Sequence, residues 1–199
     1  MVLGISALLL GGFLKLTSEF REGEATPVDR AILSRVTDHR QNNVTKAFKI
    51  LTDLGSPIAL AAVVGISVVV LCFMRKWREV GYFTVTGVGA AILTFLIKHH
   101  ISRPRPSDVS RLVEAGGFSY PSGHTVGATS IYLFLAFLIG CAIRGVWLRL
   151  LLAFVTMALV AGISVSRLYL GVHYPSDVLS GFFLGLAWAM FLAAAYLRS

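Results

Sequence analysis

Long apolar runs separated by short polar connections make up most of the chain. A helix needs about 20 apolar residues to cross roughly 30 Å of hydrocarbon, and six runs approach or reach that length. The first run is short, but it has neither the basic start nor the small-residue cleavage site of a signal peptide. We therefore predict an all-α integral membrane bundle of six transmembrane helices, forming a single domain over residues 1–199. The predicted spans are 2–16, 57–74, 80–98, 122–143, 146–163 and 177–197.

The polar segment between the first two spans, about residues 17–56, has a helical pattern of its own. Its apolar residues recur every three or four positions, which is typical of amphipathic helices, and we expect these helices to lie on the membrane surface. Pro27 and Asp29 suit a helix start, and Gly-Ser-Pro at 55–57 suits a stop. The apolar positions are Val28, Ile32, Leu33, Val36, Val44, Phe48 and Leu51.

The connections between the later spans are of two kinds. Residues 75–78 and 144–149 are brief and basic, whereas residues 98–121 and 164–177 are longer and rich in His, Arg, Pro and Ser. In a six-span chain the two kinds alternate between the sides of the membrane, so the longer connections lie together. Lys and Arg in short loops favour the cytoplasmic side. We therefore expect the longer connections on the extracytoplasmic face of a cell membrane, although that face carries twelve of the 18 Lys and Arg residues.

The composition supports a bilayer environment and limits the classes of molecule that the chain is expected to bind. The chain is 56% hydrophobic and 14% charged, with a mean hydropathy of +0.76, whereas a soluble domain is nearer a quarter charged. The formal charge of +8 comes from basic residues scattered among apolar spans, which argues against a nucleic-acid partner. Anionic lipid headgroups or phosphate substrates suit it better. No protein partner is implied.

The first long connection contains Lys98 at the end of a predicted span and Arg105 within an Arg-Pro-Arg-Pro run. The two side chains can converge on one anion, because the arginine fork matches phosphate oxygens and lysine adds a point charge. The alternative is a basic cluster that binds lipid headgroups at the membrane surface.

The sequence Tyr-Pro-Ser-Gly-His at 120–124 directly precedes a predicted span. Ser122 suits a helix N-cap, Gly123 lets a backbone N–H approach an anion closely, and a helix N-terminus is itself an anion site. His124 would lie in the first turn, where it can lend a proton. A simple helix cap followed by a surface histidine is the alternative.

The second long connection contains Ser166, Arg167, His173 and Asp177. Asp177 follows His173 by four residues and is within reach of the imidazole. A carboxylate that holds one ring nitrogen leaves the other nitrogen free to attack. A His–Asp pair that only ties two spans together is the alternative, although ionisable groups at membrane boundaries are usually functional.

Together the three segments favour phosphoryl transfer without a metal or another cofactor. They contain neither an Asp/Glu cluster for Mg²⁺ or Ca²⁺ nor a Cys/His set for zinc. Lys and Arg would then supply the positive charge that metal ions supply in other phosphoryl-transfer sites.

The same segments resemble the signature of the type-2 phosphatidic acid phosphatase (PAP2) superfamily. Its Lys, six residues, Arg-Pro pattern matches Lys98, Arg105 and Pro106. Its Pro-Ser-Gly-His pattern matches residues 121–124, and its Ser-Arg, five residues, His, three residues, Asp pattern matches residues 166–177. The matching segments cover about residues 98–177, and the layout of spans extends the resemblance to nearly the whole chain.

The resemblance implies a role for each matched side chain. His173 would attack phosphorus to form a phosphohistidine, Asp177 would orient His173, and His124 would protonate the leaving oxygen. Water would then release phosphate. The phosphoryl oxygens would be held by Lys98, Arg105, Ser122, Gly123 and Arg167.

The layout is similar to that of short bacterial members that hydrolyse phosphatidylglycerol phosphate to phosphatidylglycerol and phosphate, which is the substrate we expect first. Hydrolysis of undecaprenyl pyrophosphate in carrier-lipid recycling, alone or within a broad lipid phosphate specificity, is the alternative in the same class. A transporter or scaffold for anionic lipids is the alternative outside it. That alternative predicts charges in mid-span, and the spans are nearly free of them.

Overall fold

The computed structural model describes residues 2–21 and 25–199, and all regular secondary structure in that part of the chain is α-helical, as predicted. Residues 22–24, inside the predicted polar segment, lie outside the described residues. The helices in chain order are α1 (Val2–Arg21), α2 (Ala25–Asp38), α3 (Asn42–Asp53), α4 (Pro57–Phe73), α5 (Trp77–Ile101), α6 (Gly123–Ala142), α7 (Val146–Tyr169) and α8 (Pro175–Tyr196).

Four helices, α5 to α8, are individually long and apolar enough to cross a membrane. Helices α3 and α4 meet the same criteria only as a pair bent by 46°, which gives at most five candidate spans among the described residues. The chain is a multi-pass membrane protein, but the six predicted spans are not confirmed. Helix α4 has only 17 residues, and α1 carries Lys15 and Glu19 in its second half.

Large apolar side chains cover the outward faces of the bundle. Ile58, Phe73 and Trp147 are 84%, 85% and 81% exposed. Contiguous apolar surface of this kind is unfavourable in water and favourable against lipid. The bilayer is therefore the solvent for these helix faces.

Helices α2 and α3 form between the first two predicted spans, but part of their apolar stripe faces protein. On α3, the ring of Phe48 lies 4.7 Å from that of Tyr169, centroid to centroid, and the side chain of Leu51 packs on Gly162. On α2, Leu33 is 2% exposed. The helical period identified the stripe, but it could not tell whether lipid or protein covers it.

Two helices extend beyond their predicted ends. Helices α5 and α7 continue past residues 98 and 163, so Lys98 and Arg167 lie in helical turns and not in the connections predicted at 98–121 and 164–177. The polar side chain of Arg167 is 4% exposed. The polar residue Arg167 therefore lies on a buried side of α7 that faces other helices, and it does not indicate the end of the helix.

Helix α8 lies at the centre of the bundle and packs against α1, α5, α6 and α7. Two glycines one turn apart allow its close approach to α6. A Cβ at Gly181 would lie 2.9 Å from the carbonyl oxygen of Ser122, and a Cβ at Gly185 would lie 2.7 Å from that of Val126. Small residues at this spacing let helix backbones approach closely in a bilayer.

The close contact places the N-terminal ends of α6 and α8 side by side, and the backbone N–H of Ser122 donates to the carbonyl oxygen of Asp177 at 3.0 Å. Because neighbouring spans run in opposite directions, α5 and α7 end where α6 and α8 begin. The connections 102–122 and 170–174 therefore meet at one end of the bundle, joined by a hydrogen bond from Leu112 N–H to the Leu170 carbonyl at 3.0 Å. The long connections lie together, as predicted.

We predict that Gly185→Val destabilises the protein by about 1–3 kcal/mol, because the new side chain would overlap backbone that cannot retreat. Thermal unfolding of the detergent-purified protein measures this effect. Gly81→Val is the control, since a Cβ at Gly81 meets nothing within 4 Å. Equal unfolding temperatures for the two variants would contradict the packing argument.

Candidate active site

His173 lies in the connection 170–174 and is 1% exposed. Nη1 of Arg105 lies 3.1 Å from Nε2 of His173. Since an arginine can only donate, Nε2 is the accepting nitrogen. Nδ1 therefore carries the proton of the neutral ring and faces Oδ2 of Asp177 at 3.3 Å. One nitrogen is held by a carboxylate, and the lone pair of the other points towards a cation.

Asp177 lies in the first turn of α8, and its carboxylate is fully buried. Oδ1 accepts a hydrogen bond from Nη1 of Arg103 at 2.6 Å. Oδ2 accepts from the Tyr174 N–H at 2.9 Å and from the Ser119 hydroxyl, in addition to Nδ1–H of His173. Four donors stabilise the charged form and fix the orientation of the carboxylate, and the positive end of the α8 dipole adds to this stabilisation.

Arg105 spans the gap between the two long connections. Its Nη1 donates to the carbonyl oxygen of Val172 at 2.8 Å, and its Nη2 donates to that of Gly116 at 2.9 Å. The flanking Pro104 and Pro106 restrict the backbone on either side. Burial lowers the pKa of the Arg105 guanidinium, but an arginine remains cationic at neutral pH. A fixed positive charge therefore stands against the accepting imidazole nitrogen.

Lys98 reaches towards the same point from the last turn of α5. Its Nζ donates to the carbonyl oxygens of Phe118 and Ser119 at 2.6 and 3.2 Å. Gly123, at the start of α6, lies beside the lysine stem, since a Cβ there would come 3.8 Å from Lys98 Cε. The stem of Lys98 therefore lies beside the start of α6.

Arg167 comes from the last turn of α7. Its Nη1 donates to the hydroxyl of Thr52 on α3 at 2.6 Å. Its Nε is buried and has no hydrogen-bond partner among the described residues. A buried guanidinium N–H without a partner is costly, and an anion bound beside it would remove that cost.

Ser122 and His124 lie at the start of α6. Ser122 occupies the N-cap position as predicted, but its hydroxyl accepts from Thr125 Oγ1 at 3.1 Å and caps no backbone N–H. The ring of His124 packs beside Gly55, where a Cβ would come 3.3 Å from Cδ2. Within residues 2–21 and 25–199 this ring makes no hydrogen bond, so both of its nitrogens are available for proton transfer.

All eight predicted residues therefore lie at one end of the bundle. Lys98 interacts electrostatically with Arg105 and Arg167, and His124 interacts with these three cations and with His173. Three neighbouring cations repel one another unless an anion lies between them, so this group of side chains suits a phosphoryl group. In the described part of the chain, no group of three or more His, Cys, Asp or Glu side chains could hold a metal ion.

Several residues that contact this set, directly or through Arg103, were missed from sequence. Asp29, interpreted as part of a helix start, is 2% exposed and accepts from Nη2 of Arg103 at 2.7 Å. Its position one turn before the buried Leu33 was a usable signal, because it places a carboxylate on the inward face of α2. Ser119 and Thr52 gave no such signal. Ser119 lies in a connection, where no periodic pattern exists, and Thr52 lies near the end of α3, where a polar residue is expected.

Burial lowers the pKa of His173 to about 3, with the Asp177 carboxylate opposing that shift. The imidazole is therefore neutral at pH 7, which is the form that can attack phosphorus. Between pH 6.5 and about 3 the unfolded chain binds a proton here that the folded chain does not. This residue therefore reduces the stability of the fold as the pH falls through that window.

Comparisons of the sequence and the fold with known proteins agree with one another. The model of the PAP2 superfamily matches residues 78–199. Phosphatidylglycerophosphatase B of Bacillus subtilis (strain 168) is 30% identical over 176 residues, which cover 87% of this chain and 86% of that protein. An undecaprenyl-diphosphatase of Sulfolobus acidocaldarius is 33% identical over 133 residues, which cover 62% of this chain and 58% of that protein.

The fold is similar to the crystal structure of a transmembrane PAP2-type phosphatidylglycerolphosphate phosphatase from Bacillus subtilis, with a TM-score of 0.89 and 27% identity. The match covers 97% of this chain and 96% of that chain. The similarity therefore includes the segment before residue 78, which the family model does not match.

We predict that His173 stays neutral, with its proton on Nδ1, when the pH is lowered from 8 to about 5, because a second proton would place a positive charge on a buried ring beside Arg105. ¹⁵N NMR of histidine-labelled protein in detergent measures the protonation of each ring, and His173→Gln assigns the resonance. A transition near pH 6.5, as in an exposed histidine, would contradict the prediction.

Proposed function

This chain belongs to the PAP2 superfamily and is a membrane lipid phosphatase, and we propose that it releases phosphate from phosphatidylglycerol phosphate through a phosphohistidine intermediate. The observation that carries the proposal is the accepting Nε2 of His173, which lies 3.1 Å from Arg105 while Nδ1 faces Asp177. A phosphoryl group bound to the guanidinium would present its phosphorus to that lone pair.

In the first step the phosphoryl oxygens bind among the cations, which offset the charge that develops as the group is transferred. The lone pair of His173 Nε2 forms the N–P bond while the P–O bond to glycerol breaks. His124, as the imidazolium that the bound anionic phosphate stabilises, gives a proton to the leaving glycerol oxygen and becomes neutral. Asp177 stabilises the positive charge that the imidazole gains. The groups that bind the phosphoryl oxygens are Lys98, Arg105, Ser122, Gly123 and Arg167.

In the second step the intermediate is hydrolysed by the same residues. His124, now without its proton, accepts one from a water molecule, and the water oxygen attacks phosphorus. The P–N bond breaks, phosphate leaves, and His173 returns to its neutral form with Nδ1–H on Asp177. Neither step requires a metal ion or a cofactor, because the arginines and the lysine supply the positive charge.

Phosphatidylglycerol phosphate is the first choice of substrate because two Bacillus subtilis comparisons carry that activity in their names and extend over most of this chain. Undecaprenyl diphosphate is the second candidate, since the Sulfolobus acidocaldarius relative is named for it. The chemistry at phosphorus is the same for both. The leaving group differs, and it would contact the connection 102–122 and the neighbouring helices α2 and α3.

We also propose that the chain is a single domain with six spans, in which α1 and α4 accompany α5 to α8. At a rise of 1.5 Å per residue, the 20 residues of α1 extend about 30 Å and the 17 residues of α4 about 26 Å. Helix α4 contains no charged residue. With the short basic connections at 75–78 and 144–149 in the cytoplasm, the site opens on the extracytoplasmic face of the cell membrane.

We predict that purified protein releases phosphate from phosphatidylglycerol phosphate in the presence of EDTA, and that His173→Ala lowers kcat by at least about 10³-fold because the nucleophile is lost. Phosphate release in detergent measures both effects. His100→Ala is the matched control, since His100 is an exposed histidine near the same end of the bundle. Full activity in His173→Ala would refute the nucleophile, and loss of activity in EDTA would refute the metal-free mechanism.

We predict a higher kcat/KM for phosphatidylglycerol phosphate than for undecaprenyl diphosphate when both are presented in the same detergent at matched concentrations. The ratio of the two kcat/KM values reports how well the leaving group fits, because the phosphoryl site is common to both. A ratio that favours undecaprenyl diphosphate would reverse our choice of substrate and leave the mechanism unchanged.

A further inference from the structure

A buried ion network lies behind the His173–Asp177 pair and links it to surface helix α2. Arg103 enters this network directly after α5, and its side chain is 3% exposed. Its Nη1 donates to Asp177 Oδ1 at 2.6 Å, and its Nη2 donates to Asp29 Oδ2 at 2.7 Å. One guanidinium therefore joins two carboxylates from helices that are far apart in the chain. Arg103 lies outside the residues assigned to phosphate binding or proton transfer.

Asp29 extends the network to the start of α8. Its Oδ1 accepts from the backbone N–H of Ser176 at 2.9 Å, and its Oδ2 accepts from the Ser176 hydroxyl. The free N–H groups of a helix start are normally capped by a nearby residue of the same chain segment. Here the cap comes from α2, which is separated from α8 by more than 140 positions in the chain. The docking of α2 and the capping of the start of α8 therefore depend on the same carboxylate, that of Asp29.

The network controls the side of Asp177 that faces away from the imidazole. Among the described contacts of this carboxylate, Oδ1 is held by Arg103, whereas Oδ2 serves Ser119, Tyr174 and His173. The bond to His173, at 3.3 Å, is long, so a small rotation of the carboxylate would break it. The Arg103 guanidinium, which bridges the two carboxylates, resists that rotation because its Nη2 is held by Asp29.

We propose that Asp29 and Arg103 are positioning residues, which hold Asp177 so that His173 Nε2 is aimed at phosphorus. Docking of α2 thereby becomes part of the catalytic geometry. The inference rests on the proposed phosphohistidine chemistry. It adds that Asp29, which lies on α2 and does not contact His173, affects the rate of the chemical step.

The competing explanation is that the ions only stabilise the fold. A buried ion pair can often be replaced by apolar residues of similar size without loss of stability, whereas removal of one partner leaves a costly unpaired charge. The two explanations therefore differ in whether kcat falls in a variant that still folds. If the role is only structural, folded Asp29→Asn keeps the wild-type kcat even where its unfolding temperature falls. If the role is positioning, kcat falls in folded Asp29→Asn. It falls further in the Asp29→Leu/Arg103→Met pair, which also removes the donor to Asp177 Oδ1.

The experiment measures thermal unfolding, kcat and KM in detergent for Asp29→Asn, Arg103→Met and the Asp29→Leu/Arg103→Met pair. We expect Asp29→Asn to lower kcat about 10-fold and the apolar pair to lower it about 10²-fold, because misplacement of a catalytic group by about 1 Å has effects of that size. KM should stay within about twofold, since neither residue faces the phosphoryl site. Single-turnover formation of the phosphoenzyme should slow by the same factors.

Asp108→Asn is the matched control. Asp108 also ties α2 to the connection 102–122, through an ion pair with Arg30 at 3.2 Å, but this pair is more than half exposed and contacts neither His173 nor Asp177. The control should keep the wild-type kcat. Wild-type kcat in Asp29→Asn, or in a folded apolar pair, would overturn the proposal. If the Arg103 variants do not fold, Asp29→Asn decides alone.

His173→Ala in the same assay separates this proposal from the function on which it rests. If His173→Ala is inactive and Asp29→Asn has the wild-type kcat, the phosphatase mechanism stands and the positioning role fails. If His173→Ala is active, the phosphohistidine mechanism fails, and with it the premise of the network's role.

Discussion

The Asp177 carboxylate, buried with four hydrogen-bond donors at the start of α8, is the interaction on which the site geometry depends. A buried anion is tolerated only when its lone pairs are satisfied, so the elements that donate to it cannot move independently. They are the start of α8, the connection before it, and the connection 102–122 that supplies Ser119 and Arg103. The tautomer of His173 follows, because a carboxylate can only accept the Nδ1 proton.

The antiparallel order of the spans determines which helix ends carry the remaining charges of the site. Lys98 and Arg167 lie in the last turns of α5 and α7, where the negative end of a helix dipole stabilises a cation. Asp177 lies in the first turn of α8, where the dipole is positive. The close approach allowed by Gly181 and Gly185 brings these helix ends together. Local helix electrostatics and packing thus favour the same arrangement of cations around a phosphoryl site.

Helices α2 and α3 both contact buried side chains at the site. Thr52 of α3 contacts Arg167, and Asp29 of α2 contacts Arg103, so each helix touches one buried arginine. Val28, on the other side of α2, is 60% exposed and available to lipid. A lipid that changes the position of these helices would therefore change the contacts of Arg167 and Arg103.

The sequence by itself determined the helical class, the membrane environment, the sharing of one face by the long connections, and the candidate residues from Lys98 to Asp177. These features follow from local composition and from fixed spacings, which need no knowledge of distant contacts. Only the tertiary structure showed that Ser119, Arg103, Thr52 and Asp29 contact the site. Their contacts join residues far apart in the chain, and a polar residue in a surface segment looks the same in sequence whether water or a buried ion faces it. The physical reason is that the helical period reports which side of a helix is apolar, whereas the identity of the neighbour is decided by packing.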